Sequence, residues 1–176
     1  MTCKDKKCLI AYFSHAGQNY TTGGELKNLP IGNTERVADL IRKYTGGTLF
    51  HILTVKPYPE GDYKQTVAMA KEENETNARP KLESLPDSIR DYDIIFLGYP
   101  NWCGTMPMAV WTFLESFDFT GKEIWPFCTH EGSGLGHSLQ DIKALCPYAM
   151  LGPNLALLGS TVLDAEDDVR RWLEEN

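Results

Sequence analysis

At 176 residues and 19.8 kDa the chain is long enough for one domain with a full buried core. Its 42% hydrophobic and 23% charged residues are ordinary for a soluble globular protein. The formal net charge of −7, from 24 acidic against 17 basic residues, argues against nucleic acid or an anionic membrane as partner and suits a basic protein instead.

The charged start gives way to one apolar run, Cys8 to Phe13, which is too short for a signal-peptide core or a membrane span. It reads as a first strand, and a cytoplasmic location is expected. The five cysteines (3, 8, 103, 128 and 146) form no CxxC pair and no metal-ligand spacing, as expected of reduced thiols. A long Gly-rich loop leads to a helix from about Thr34 to Tyr44. There Val37, Leu40, Ile41 and Tyr44 recur at helical spacing and should face a sheet. Gly46-Gly47 stops it, and Thr48 to Leu53 reads as the second strand.

Pro57-Tyr58-Pro59 breaks the chain, and Asp62 can cap a polar, covering helix running to about Asn77. A third strand spans Ile94 to Gly98, a helix Pro107 to Phe117, and a strand Glu123 to Cys128. A short helix near His137 to Leu145, a strand near Asn154 to Leu158 and a last helix from Ala165 to Glu174, capped by Asp164, complete the chain. Five strands alternating with five helices imply a parallel sheet covered on both faces, because parallel crossovers need helices. No repeat or linker divides the chain, so residues 1–176 read as a single domain.

Ligands of open α/β sheets bind beyond the carboxyl ends of the strands, so the loops there carry the chemistry. The first is Phe13-Ser14-His15-Ala16-Gly17, with the helix beginning after Gly32-Asn33-Thr34. Residues Gly17 to Ile31 between them look inserted. A hydroxyl, free backbone N–H groups and a helix N-terminus with Asn and Thr make a phosphate cradle that needs no lysine; helix capping by Asn33 or Thr34 is the plainer reading of the same residues. The second loop, Pro100-Asn101-Trp102-Cys103-Gly104-Thr105-Met106-Pro107, holds up an indole whose face suits a flat ligand. The third, Thr129-His130-Glu131-Gly132-Ser133-Gly134, fits neither the nucleophile elbow nor the dinucleotide fingerprint. Its glycines would bring backbone N–H groups close to a ligand edge.

In these loops the chain resembles the flavodoxins. The inserted first loop, together with Pro-Asn-Trp-Cys-Gly-Thr-Met-Pro, resembles a bacterial branch with an extended phosphate-binding loop. The resemblance covers Leu9 to Leu173. It implies a flavodoxin-like three-layer α/β/α sandwich, a five-stranded parallel sheet in the order 2-1-3-4-5, and one non-covalent FMN. By the same resemblance Ser14, His15, Ala16, Gly17, Asn33 and Thr34 would bind phosphate, and Pro100, Asn101, Trp102, Cys103 and Gly104 would form the first ring loop. Thr129, His130, Glu131, Gly132, Ser133 and Gly134 would form the second. Gly104 tolerates positive φ, so the Cys103–Gly104 peptide is a candidate to rotate when the flavin is reduced.

Two function classes follow. One is an electron carrier serving redox proteins with a basic docking surface, as a monomer or weak dimer. The alternative is an FMN-dependent NAD(P)H reductase of quinones or nitroaromatics. Small size and acidity favour the carrier. The acidic run Asp164 to Asp168 is a candidate docking patch, although acids also favour any helix start. A phosphoacceptor domain is excluded, because Gly98-Tyr99-Pro100 stands where its aspartate would be needed.

Overall fold

The computed structural model describes residues 6–176; Cys3 lies outside them. β1 (Cys8–Tyr12) is followed by a hairpin of β2 (Gly17–Tyr20) and β3 (Leu26–Leu29), then α1 (Asn33–Thr45) and β4 (Thr48–His51). Next come α2 (Tyr63–Glu75), β5 (Ile94–Pro100), α3 (Met108–Glu115), β6 (Glu123–His130) and α4 (Ser138–Leu145). β7 (Met150–Leu151), β8 (Leu155–Leu158), a 3-10 helix (Gly159–Asp164) and α5 (Glu166–Glu174) end the chain.

The main sheet runs β4-β1-β5-β6, with β7 and β8 both pairing to β6 and every pairing parallel. β7 and β8 are two halves of one edge strand. β7 lies beside Glu123 and Ile124, and β8 beside Phe127 to His130. Pro153 between them has no N–H for a ladder, and Gly152 backs onto Trp125, where a Cβ would stand 2.4 Å from the indole. With the halves counted as one strand, the order is the expected 2-1-3-4-5.

Side chains alternate across each strand, and here both faces are buried. Leu9, Ala11, Ile95, Leu97, Ile124 and Cys128 enter one core with α3 residues Val110 and Phe113. Ile10, Tyr12, Ile94, Phe96, Trp125 and Phe127 enter the other with Val37 and Ile41 of α1 and Val169 and Trp172 of α5. The central strands therefore read as continuous apolar runs. At Gly98 the strand packs closely: a Cβ there would stand 2.2 Å from the Phe127 ring.

Two local expectations are corrected. The inserted segment is a paired hairpin rather than an open loop, with Gly17 opposite Leu29 and Tyr20 opposite Leu26. Asp164 does not cap α5; it closes the 3-10 helix, and Ala165 takes the cap position without a side-chain bond. The acids of that helix start are paired instead, Asp167 with Arg170, Asp168 with Arg171 and Glu166 with Lys43. Asp62 does cap α2, accepting from Gln65 N at 3.0 Å. Among the described residues no helix is long and apolar enough to cross a membrane.

Candidate functional site

The parallel register places Phe13, Gly98 to Pro100, and Thr129 with His130 along one rim of the sheet. Helix α1 starts there without a side-chain cap on Gly32. Ser14 Oγ accepts from Glu35 N, within the first turn, at 3.1 Å, while no described residue accepts from the N–H groups of Asn33 or Thr34. Those two donors, at the positive end of a 13-residue helix, are available to an anion. Gly32 lets the first loop close on the helix, since a Cβ there would stand 2.1 Å from Ser14 Oγ. Below, the buried hydroxyls of Thr34 and Thr129 hydrogen-bond at 2.8 Å and satisfy each other.

Asn101 organises the second loop. Its N–H donates to Thr129 O at 2.9 Å, its Nδ2 donates to Gly134 O at 2.7 Å, and its Oδ1 accepts from Gly104 N at 3.1 Å. One side chain thus ties the second loop to the third. Trp102 to Thr105 form a tight turn in which Cys103 and Gly104 have φ of 56° and 80°, the type I′ pattern, closed by Thr105 N to Trp102 O at 3.1 Å. The Cys103–Gly104 peptide is therefore held through its N–H by Asn101. The Trp102 indole is met edge-on by Phe13, Tyr58 and His15, at centroid distances of 5.1, 5.0 and 5.9 Å.

In the third loop His130 Nδ1 accepts from Gly132 N at 3.0 Å. Glu131 Oε2 accepts from Ser160 Oγ and from Thr22 N of the hairpin, each at 3.2 Å. Gly159 leaves room for both Asn33 and Glu131: a Cβ there would lie 2.4 Å from Asn33 Nδ2 and 2.5 Å from Glu131 Oε1.

These loops enclose a cavity of about 330 Å³ that brings together ten of the residues expected from the sequence. They are His15, Asn33, Thr34, Pro100, Asn101, Trp102, Thr129, His130, Glu131 and Ser133. Ser14, Ala16, Cys103, Gly104, Gly132 and Gly134 lie in the same loops but off the cavity wall, and Gly17 turns away to pack against Glu60. Four further residues outside that set line the cavity: Asn19 and Tyr20 from the hairpin, Tyr63 from α2, and Gly159. Tyr20 and Tyr63 stack at 6.3 Å with an interplanar angle of 21°.

No lysine or arginine lines the cavity, so an anion would be met by backbone donors and the helix end. His15 Nε2 is buried there with no hydrogen-bond partner, and burial lowers the pKa of its ring, partly opposed by Glu60. Cys103 is exposed, but partial desolvation still pushes its thiol pKa up, which disfavours thiolate chemistry.

The profile of the flavodoxin family matches residues 7–176. No curated protein sequence matches the chain. Among solved structures, a protein from Bacteroides uniformis ATCC 8492 described as a flavoprotein shares 28% identity at a TM-score of 0.77, covering 96% of this chain and 98% of its own. A second, from Bacteroides eggerthii DSM 20697 and described likewise, shares 27% at 0.71, covering 94% and 98%. A flavoprotein in complex with FMN from Lactobacillus acidophilus NCFM shares the fold at 21% identity and a TM-score of 0.64, covering 90% and 97%. The sheet order, the split first loop and the match over nearly the whole length agree: the chain belongs to the flavodoxin family.

Proposed function

We propose that this protein binds FMN non-covalently and transfers electrons through it. The observation that carries the reading is one cavity lined both by the start of α1, whose Asn33 and Thr34 N–H groups are unpaired among the described residues, and by the Trp102 and glycine loops. The residues present fit the group. The N–H groups of Asn33 and Thr34 would hold the phosphate, and His15 lines the same cavity. Pro100 to Gly104 and Thr129 to Gly134 would hold the ring system. When bound, FMN supplies the redox chemistry, while the protein orients it and sets its surroundings.

The acidic chain, with Glu131 on the cavity wall, disfavours a build-up of negative charge at the site. A net charge of −7 suits a basic redox partner. Anaerobic stepwise reduction of the FMN-loaded protein, followed by absorbance, tests the role. Reduction in two separate one-electron stages, with negligible NAD(P)H consumption in a parallel assay, is expected of a carrier. A single two-electron stage with rapid NAD(P)H turnover would instead make it a reductase.

A further inference from the structure

The hairpin of β2 and β3 leaves the sheet at Gly17, crosses the cavity side and returns at Gly32. It contributes nothing to either core: Tyr20 and Leu26 are 44% and 50% exposed. A two-stranded ribbon on its own is barely stable in water, so its position depends on what it is tied to. At its base Gln18 N donates to Glu60 O at 2.6 Å, Gln18 Oε1 accepts from Tyr63 N at 3.1 Å, and Tyr20 stacks on Tyr63. At its tip the Thr21–Glu25 turn reaches the opposite wall, where Thr22 N donates to Glu131 Oε2.

That carboxylate is itself held by Ser160 of the 3-10 helix. Asn19 and Tyr20 of the span between these anchors line the cavity, as does Glu131. The hairpin thus bridges from α2 to the loop after β6, with a chargeable acceptor at its far end.

We propose that the hairpin is a strap across the cofactor cavity, latched at its tip by Glu131, and that unlatching admits and releases the ligand. The ligand half of this statement rests on the FMN reading above; the latch does not. Segments with few buried contacts open at low free energy, and removing one anchor of such a segment raises the open population directly.

Lys27 is the one lysine or arginine between Gly17 and Ile31, and it sits in the ladder opposite Asn19. Trypsin cleavage at Lys27 therefore reports strap opening in cofactor-free protein. Glu131→Ala is expected to speed that cleavage about tenfold, the effect of a modest change in opening free energy. Glu131→Gln, which keeps an uncharged acceptor, should fall between it and the parent. Gln18→Ala, which loosens the base without touching Glu131, should act in the same direction.

In stopped-flow fluorescence, FMN association and dissociation should both quicken in Glu131→Ala and in Gln18→Ala. Parent-like cleavage at Lys27 in both variants would overturn the latch. Faster cleavage with an unchanged FMN association rate would overturn the strap as an entry gate. If the parent protein binds no FMN, the functional reading fails, while the Lys27 comparison still decides the latch.

Discussion

Tyr58 donates its hydroxyl hydrogen to Glu73 Oε2 at 2.7 Å, while its ring meets the Trp102 indole edge-on at 5.0 Å. A carboxylate on α2 therefore fixes the ring that supports the indole of the second loop. Burial raises the pKa of both partners; for Glu73 the bond from Tyr58 opposes that rise. Tyr58→Phe keeps the ring but strips Glu73 of its donor, and should destabilise the fold by about 1–3 kcal/mol in urea denaturation. Glu73→Gln keeps an acceptor and removes a poorly solvated charge, so it should be close to neutral in the same measurement. Equal losses in both variants would contradict this account.

Asn101 joins the two ring loops through Gly104 N and Gly134 O. Asn101→Ala should cost about 1–3 kcal/mol of stability, from two lost side-chain bonds and a stranded carbonyl. Asn101→Asp should be no better, because it sets an acceptor against the Gly134 carbonyl. Both should weaken FMN binding by on the order of tenfold or more, measured by flavin fluorescence titration.

Acidification should destabilise the cofactor-free protein through two histidines. Burial lowers the pKa of both His15 and His51 below the ordinary 6.5, Glu60 opposing it at His15 and Glu35 at His51. The unfolded chain then takes up protons first as the pH falls. Their stabilising contribution is full above 6.5 and is lost as the pH drops through the lowered values of the folded state. Glu73 runs the other way: its pKa is raised above 4.5, so its contribution grows as the pH falls through that raised value. Urea midpoints should decline between neutral pH and about pH 5, and His15→Asn with His51→Asn should flatten that decline.

Cys103 holds φ at 56° in the first central position of a type I′ turn, where asparagine before glycine is favoured. Cys103→Asn should therefore raise stability by about 0.5–1 kcal/mol. Gly104→Ala, at φ of 80°, should lower it. A Cys103→Asn midpoint at or below the parent's would show that the turn is held by its surroundings alone.

The central strands were legible because both sheet faces are buried, which makes Ile94 to Leu97 an unbroken apolar run bounded by a loop. Helix α1 declared itself through Val37 and Ile41, and the cavity residues of the three loops through their place after strands. The hairpin was not legible. Gln18-Asn19-Tyr20 and Leu26-Lys27-Asn28 are short and mostly exposed, so no buried face imposes an alternation on them. Tyr63 was missed because α2 reads as a covering helix, and its place on the wall depends on the hairpin stacking against it. Gly159 carries no side chain to signal its role; only the closeness of Asn33 and Glu131 reveals it.

The most direct measurement is titration of FMN with cofactor-free protein, followed by flavin fluorescence. The account predicts strong quenching at one FMN per chain, with a dissociation constant on the order of 1 μM or tighter. It also predicts clear weakening when Asn101 is replaced by alanine. Unquenched fluorescence at stoichiometric protein, with Lys27 protection unchanged by FMN, would contradict it.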